Sequence, residues 1–237
     1  MGSKNKLAKE LLPLILRNRK SNQWYVEPFC GGCNMIDKVK GNRIGSDVNE
    51  YLIEFLKYVQ TNIPFDPPNI SEKDYIDIKN NKDNYPKWLV GYVGFNLSFG
   101  AKFFGGYRRD KAGQRDYQNE AQQNIKAQQE NLIGIDFVCC SYDKLEIPND
   151  SIIYCDPPYR DTTKYKDCID YEKFYNWCIQ KQKDGHKVFI SEYWMPEPFK
   201  CVYEKNVSAN LSVNLKGITK TEKLYTLENV VTLEDLF

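Results

Sequence analysis

The sequence predicts an α/β fold, in which a doubly wound, mostly parallel seven-stranded sheet is joined by a smaller, mainly helical insertion. Its 237 residues are 41% hydrophobic and 14% aromatic, which is enough apolar material for one large domain with a packed core. Strand-like and helix-like segments alternate through the first 60 residues and again after residue 134. This alternation is typical of a parallel sheet that is covered by helices on both faces.

The first part of the chain forms one alternating series. Leucines at helical spacing begin it, and Pro13 marks a kink or a boundary in that helix. A glycine turn follows the first strand, and the second strand ends at Asp47. By residue number, the expected elements are helix 4–18, strand 24–26, glycine loop 27–32, helix 35–39, strand 43–46 and helix 51–59.

The middle of the chain, residues 62–134, has a different character. Prolines end the alternating series, polar helical segments follow, and the tract 102–115 holds five basic residues against one acid. A glutamine-rich stretch at 117–130 predicts an exposed helix. We therefore assign residues 62–134 to an insertion with its own function, and residues 1–61 and 135–237 to the main domain.

The α/β alternation then returns. Segments 136–140 and 151–155 are strand-like, and the second runs directly into Asp156-Pro-Pro-Tyr159. The remaining expected elements are helix 171–183 and strands 187–191, 200–205 and 223–227, which bring the expected number of strands to seven.

Charge and apolar runs exclude several classes of protein. The 33 basic and 32 acidic residues nearly cancel, so the total charge does not indicate a polyanion binder, although a local basic patch is compatible with one. The early apolar stretch 11–16 is much shorter than the ~20 residues that span a bilayer. We therefore expect a cytoplasmic protein with no membrane partner.

The eight cysteines include the pair Cys30 and Cys33, which has the spacing of zinc and redox sites. A structural zinc site would need a second pair about 12–20 residues further on. The next cysteine is Cys139, and the sole histidine is His186. We therefore expect reduced, mostly buried thiols, with zinc as the alternative.

Two features at the ends of the first two strands are suited to ligand binding. The turn Phe29-Cys-Gly-Gly32 lets a ligand approach the backbone, although a plain tight turn explains it equally well. Asp47 stands where a carboxylate accepts both hydroxyls of a ribose. Asp47 and Glu50 also have the spacing of a helix capping box, which is the simpler interpretation of Asp47 alone.

The tetrapeptide Asp156-Pro-Pro-Tyr159 carries a stronger signal, because it follows a buried strand and so lies at the carboxyl edge of the sheet. Its prolines stiffen the turn, and the Pro157 carbonyl and the Asp156 carboxylate can accept the two N–H bonds of an aromatic amine. These bonds favour a more nucleophilic nitrogen, while Tyr159 stacks on the ring. The alternative is a rigid turn with a buried tyrosine.

Six motifs in this order resemble those of the D12-class N6-adenine DNA methyltransferases, the DNA adenine methylases of bacteria and phages. The resemblance covers nearly the whole chain, and the order of the motifs implies the α arrangement of these enzymes. The motifs are Gly2-Ser-Lys4-x-x-Leu7, Tyr25-Val-Glu-Pro-Phe-x-Gly31, Asp47-x-Asn49, Asp156-Pro-Pro-Tyr159, Ile190-Ser-Glu-Tyr193 and Thr221-Glu-Lys-Leu224.

The resemblance implies a fold of the S-adenosylmethionine-dependent methyltransferase type and a role for each matching residue. Asp156, Pro157 and Tyr159 would be catalytic, with Asp156 also serving the amino-acid end of the cofactor. No metal is expected. The cofactor-binding residues would be Lys4, Phe29, Gly31, Asp47, Ser141, Tyr142 and Asp156.

The chain departs from the family pattern at two cofactor positions. Cys33 stands where the cofactor loop often has another glycine, and Ser141 stands where family members often carry an aspartate for the cofactor's adenine. Tyr142 is expected either to form a wall of that pocket or to be a core tyrosine.

The resemblance also gives the insertion a meaning as a DNA target-recognition region. An enzyme that methylates adenine in duplex DNA must flip the base and hold phosphates while it does so. The expected DNA-binding residues are Lys102, Phe103, Arg108, Arg109, Lys111 and Arg115. The alternative is a solvated charged loop.

The expected reaction is methyl transfer from S-adenosylmethionine to N6 of a flipped adenine in double-stranded DNA by a monomeric protein. The alternatives are an adenine methyltransferase that acts on RNA and a non-catalytic DNA-binding module of the same fold. GATC is a family-level expectation for the target sequence. The sequence does not distinguish a phage enzyme, an orphan enzyme and a member of a restriction-modification pair.

Overall fold

The computed structural model describes residues 4–110, 112–159, 169–208 and 219–227. Its sheet has the strand order β3-β2-β1-β4-β5-β7-β6, in which β7 is antiparallel to both of its neighbours and the other pairs are parallel. The strands are β1 (Tyr25–Glu27), β2 (Arg43–Asp47), β3 (Ile135–Cys139), β4 (Ile152–Cys155), β5 (Lys187–Glu192), β6 (Phe199–Ser208) and β7 (Thr219–Leu227). The predicted seven-stranded, mostly parallel α/β sheet is confirmed.

Six α-helices accompany the sheet in the described ranges. They are α1 (Ala8–Ile15), α2 (Glu50–Thr61), α3 (Glu72–Asn80), α4 (Lys87–Gly91), α5 (Tyr117–Leu132) and α6 (Tyr171–Lys183). None of the helices in these ranges has the length and apolar character of a bilayer span.

Two expected helices are shorter than predicted. The first is divided into a 3₁₀ turn at Lys4–Lys6 and α1, which contains Pro13 and ends at Ile15. Proline lacks the N–H that would bond the preceding turn, so the helix extends only briefly beyond it. The helix expected at 35–39 is a single 3₁₀ turn, Ile36–Lys38. The segment between the tight loop and β2 is too short for an α-helix.

The glutamine-rich helix α5 is not simply exposed, which corrects that prediction. Gln129 is buried and donates to the carbonyls of Val59 (2.8 Å) and Asn62 (2.7 Å), while its side-chain oxygen accepts the N–H of Phe65. Amide side chains can enter a core when all their polar atoms are bonded. One apolar core therefore joins α2, α5 and the segment between them. The division at residues 62 and 134 stays a prediction.

The topology places one particular edge of the sheet in position for a site. Strands β1 and β4 lie side by side, while the chain continues from β1 to β2 on one side and from β4 to β5 on the other. The carboxyl ends of β1 and β4 therefore mark the switch point, where open α/β sheets leave a crevice. Glu27 ends β1, and Asp156 directly follows β4.

Candidate functional site

The carboxyl edge of the parallel strands brings together residues that are far apart in the sequence. Phe29 follows β1, Asp47 ends β2, Ser141 follows β3 and Asp156 follows β4. Parallel strands in one sheet end at the same edge, so these positions lie along a single rim. Lys4 reaches this rim from the N-terminal 3₁₀ turn.

Asp156 forms an ion pair with Lys4 at the centre of the rim. The Lys4 Nζ lies 3.4 Å from Asp156 Oδ1, and the two side chains are 5% and 23% exposed. Burial raises the pKa of Asp156, as does the nearby Glu222 carboxylate, against the opposing effect of Lys4. Burial alone would lower the pKa of Lys4, but the charges of Asp156 and Glu222 outweigh it, so the pKa is raised. Lys4 is therefore a fixed positive charge beside the carboxylate.

Tyr159 and Lys4 share an acceptor that the sequence analysis did not assign. Glu222 Oε2 accepts the Tyr159 hydroxyl at 2.9 Å and the Lys4 ammonium at 2.8 Å. Lys4 also contacts the Tyr159 hydroxyl, and its Nζ lies 4.7 Å from the centre of the tyrosine ring. Glu222 belongs to the Thr221–Leu224 motif, so the sequence located this segment without indicating its contact.

The rest of the tetrapeptide is held in place by its neighbours. Pro157 is buried, and the carbonyl of the exposed Pro158 accepts a hydrogen bond from the Tyr171 hydroxyl of α6. The Tyr159 and Tyr193 rings pack perpendicular to each other, with the centroids 4.5 Å apart and the planes at 84°. Burial raises the pKa of Tyr159 far above its ordinary value, so this side chain stays neutral.

The loop after β1 is fixed from two sides. The Cys30 N–H donates to the carbonyl of Ser46 in β2 at 2.8 Å, and Gln128 of α5 donates to the carbonyl of Gly32 at 3.0 Å. Gly31 and Cys33 both have positive φ angles, 47° and 57°. Glycine adopts this conformation without strain, which explains why a glycine would suit the position of Cys33.

Asp47 is not the cap of α2, so the capping-box interpretation is wrong. The cap is Asn49, whose side chain accepts the N–H of Leu52 at 3.1 Å, and Asp47 instead accepts the N–H of Asn49 at 2.9 Å. Burial raises the pKa of Asp47, while hydrogen bonds from the backbone N–H groups of Asn49, Gly31 and Val48 act to lower it. The carboxylate is thus fixed by a turn at the end of β2, next to the glycine loop.

Phe29 and Tyr142 pack together in an aromatic cluster with Phe174. The ring centres of Phe29 lie 5.5 Å from Tyr142 and 5.6 Å from Phe174. Tyr142 is buried, and burial raises its pKa to about 12. This is the packing expected for a core tyrosine, whereas Phe29 and Ser141 are each only partly buried.

The arginines of the basic tract are paired with acids of the same region. Arg109 lies 3.1 Å from Glu72, and Arg115 makes two bonds of 2.8 Å to Glu120. Arg108 lies 3.9 Å from Glu120. Lys102 is exposed, and Lys111 lies outside the described residues.

Phe103, the aromatic residue predicted to contact DNA, is only partly exposed. It stacks on Tyr51 with 5.7 Å between ring centres, and it packs against Phe95 and Phe104. Phe99 is instead 73% exposed, at a tight turn that the sequence pattern did not distinguish. Phe103 is therefore packed among other rings while Phe99 is open to solvent, and the DNA-binding role of Phe103 stays a prediction.

The cysteine pair of the glycine loop is buried. Hydrogen bonding to Cys33 and burial raise the pKa of Cys30 well above its ordinary value, so its thiol stays protonated. Across the described ranges, no group of three or more His, Cys, Asp or Glu side chains is arranged to hold a metal ion. All seven cysteines in these ranges are free thiols.

Comparison with known proteins gives one family. The model of the D12 class N6 adenine-specific DNA methyltransferases matches residues 1–233. Two solved structures are similar at low identity. A conserved hypothetical protein from Streptococcus pyogenes is 10% identical, with 92% of this chain and 94% of that chain covered and a TM-score of 0.37. SMU.472, described as a candidate methyltransferase complexed with SAH, is 12% identical, with coverages of 95% and 52% and a TM-score of 0.41.

Proposed function

We propose a specific reaction for this chain, which belongs to the family of D12 class N6 adenine-specific DNA methyltransferases. The reaction is transfer of a methyl group from S-adenosylmethionine to N6 of a flipped adenine in double-stranded DNA. The observation that carries this proposal is the partly buried Asp156 carboxylate at the switch point, held beside Lys4 and Tyr159. We expect the protein to act in the cytoplasm.

The residues of the rim fit the proposed cofactor. Its ribose offers two hydroxyls, and Asp47 presents a fixed carboxylate at the end of β2. Phe29 and the turn at Gly31 give an apolar side chain and an approachable backbone next to it. When bound, S-adenosylmethionine supplies an electrophilic methyl group on a sulfonium.

Asp156 and Tyr159 would act on the target amine. The N6 lone pair of adenine is conjugated with the ring, so the amine is a weak nucleophile. A carboxylate that accepts one N–H bond, with the Pro157 carbonyl accepting the other, draws the nitrogen toward a tetrahedral geometry. The ring of Tyr159 would stack on the base and keep these bonds in line.

The insertion would hold the duplex while the base is outside the helix. Flipping costs a few kcal/mol, and phosphate contacts help to offset it. Lys102, Arg108, Arg109 and Arg115 are the proposed phosphate-binding side chains in the described ranges, with Lys111 retained from the sequence. Phe99 is the proposed aromatic contact with the DNA, in place of Phe103.

The test is a transfer assay with tritiated S-adenosylmethionine and matched duplex DNA, single-stranded RNA and protein substrates. We expect label on N6 of adenine in the duplex, and sequencing of modified bases in DNA from cells expressing the chain would give the context, with GATC expected. Label on RNA or on another base would refute the assignment. Cofactor binding in calorimetry without transfer to any substrate would indicate a non-catalytic module.

A further inference from the structure

Glu222 connects the two side chains that surround Asp156. It lies on β7, a strand that enters the sheet antiparallel to β5, and its side chain is only 16% exposed. A single atom, Oε2, accepts both the Lys4 ammonium and the Tyr159 hydroxyl. A partly buried carboxylate with two charged or polar donors is an anchor whose loss leaves both donors without their partner.

The two carboxylates compete for Lys4, and Glu222 is the nearer one. Lys4 Nζ is 2.8 Å from Glu222 and 3.4 Å from Asp156. An ammonium bonded fully to Asp156 Oδ1 would compete with the target amine for that oxygen. Glu222 thus holds the positive charge close to Asp156 without letting it take the acceptor position.

The orientation of the Tyr159 ring depends on the same carboxylate. Its hydroxyl is bonded to Glu222, its ring packs perpendicular to the Tyr193 ring, and the Lys4 ammonium lies 4.7 Å from its centre. These contacts fix the ring from different sides. Removing the bond to Glu222 would let the ring rotate away from the plane in which it stacks on a base.

We propose that Glu222 is a positioning residue, which acts through Lys4 and Tyr159 to keep Asp156 open to the target amine and the Tyr159 ring in its stacking plane. This inference rests on the proposed function. Glu222 itself does not touch the reacting atoms, so its effect should fall on the chemical step more than on binding.

The first test compares Glu222→Gln with a matched control on the neighbouring strand, Glu204→Gln. Glu204 is 56% exposed and forms an ion pair with Lys223 at 3.2 Å. We expect Glu222→Gln to lower kcat at least about tenfold, with the KM for DNA changed less than about threefold. Glu204→Gln should resemble the wild type. Equal changes in kcat and KM for Glu222→Gln would overturn the inference.

A second readout separates positioning from a merely structural role. The Glu222 charge raises the pKa of Asp156, so its removal should move the acid limb of the kcat–pH profile to lower pH. In the Tyr159→Phe background the bond from Tyr159 to Glu222 is already absent and only the bond from Lys4 remains, so the further loss caused by Glu222→Gln should be smaller than in the wild type. An unmoved acid limb, or losses that simply multiply, would count against the inference.

A crystal structure of Glu222→Gln distinguishes failure of this inference from failure of the proposed function. We expect Lys4 to close on Asp156 to about 2.8 Å and the Tyr159 ring to leave its perpendicular contact with Tyr193. This readout needs no activity. A wild type that transfers no methyl group to DNA refutes the proposed function, whereas an unchanged Lys4 and Tyr159 in the variant refute the role of Glu222.

Discussion

The rim of the sheet and the basic tract of the insertion use charge in opposite ways. At the rim, Lys4 is 5% exposed and is shared between two carboxylates. In the insertion, Arg109 is 60% exposed and has Glu72, itself 41% exposed, as its ion-pair partner. Removing one member of a buried ion pair strongly destabilises the folded protein, because it leaves an uncompensated buried charge. An exposed ion pair contributes only about 0.2–1 kcal/mol to the free energy of unfolding.

This difference indicates different tasks. The charged groups of the rim already hold one another in place, which is the organisation that the proposed catalytic role requires. If the insertion binds DNA as proposed, phosphates can replace the acids that pair with its arginines at little cost. Substitutions in the two regions should therefore differ in both size and kind.

The largest expected effect is the loss of Asp156. We expect Asp156→Ala to reduce methyl transfer by roughly 10²-fold or more, because the variant lacks the carboxylate proposed to accept the N–H of the target amine. Initial rates with labelled cofactor and duplex DNA measure this. Asp136→Ala, at an exposed position on β3, is the control and should retain wild-type rates. Near-normal turnover of Asp156→Ala would end the assignment of Asp156.

The next effect contrasts two aromatic residues of the insertion. Phe103 packs against three rings, so Phe103→Ala should lower the free energy of unfolding by about 2 to 3 kcal/mol. Phe99 is 73% exposed, so Phe99→Ala should change it by less than about 0.5 kcal/mol while weakening DNA binding. Urea unfolding and duplex titration measure the two quantities. A stable Phe103→Ala protein with weakened DNA binding would restore the original assignment of Phe103.

The contrast between Phe103 and Phe99 shows what a sequence pattern cannot predict, namely which aromatic side chains of a loop pack against the rest of the protein. The sheet could be predicted because strand and helix periodicities are local, and all seven strands lie within a few residues of their expected places. Interleaved charges and aromatics at 102–115 do not show which rings are buried. That depends on Tyr51, which lies in another element and about 50 residues earlier in the chain.

The candidate site shows the same limit. Asp156, Tyr159 and Lys4 could be expected from motifs at the ends of predicted elements. The position of Glu222 beside them could not, because it depends on contacts with Lys4, 218 positions away in the sequence, and with Tyr159, 63 positions away. The prediction that Asp47 caps α2 is wrong for a related reason. Asp47 and Asn49 both have side chains suited to capping, and only the geometry of the turn decides which of them caps the helix.

The pH dependence of stability should separate a rim carboxylate from an exposed one. Burial raises the pKa of Glu27 well above its ordinary value, while its bond from Tyr25 opposes this. Folded Glu27 is therefore protonated in a pH range where the unfolded residue, with a pKa of about 4.3, is ionised. Relative to Glu27→Gln, the wild type should lose roughly 1.4 kcal/mol per pH unit as pH rises from about 5 until the folded pKa is reached.

The measurement is urea unfolding of both proteins between pH 5 and pH 8. Glu120, which is exposed and whose pKa is lowered chiefly by its bonds from Arg115, provides the contrast. Stability that depends on the charge of Glu120 should be lost only when the pH falls through the lowered pKa. Above pH 5, the free energies of unfolding of the wild type and of Glu120→Gln should therefore differ by a constant amount. A pH-independent difference between the free energies of unfolding of the wild type and of Glu27→Gln would contradict the expected contrast between a buried and an exposed carboxylate.

The smallest effect tests whether the arginine pairs are exchangeable. Each arginine that contacts a phosphate steepens the dependence of log K on log salt by about 0.9, so replacing Arg108 and Arg109 with glutamine should flatten the slope by about two.

Glu72→Gln should instead raise the affinity for duplex DNA. It releases Arg109 from a surface pair worth about 0.2–1 kcal/mol and so strengthens duplex binding by at most about fivefold. Fluorescence anisotropy between 50 and 200 mM salt measures both effects. An unchanged slope in the double arginine variant would remove these side chains from the DNA interface, and weaker binding of Glu72→Gln would show that the pair is part of the recognition surface and not a reserve of charge for phosphates.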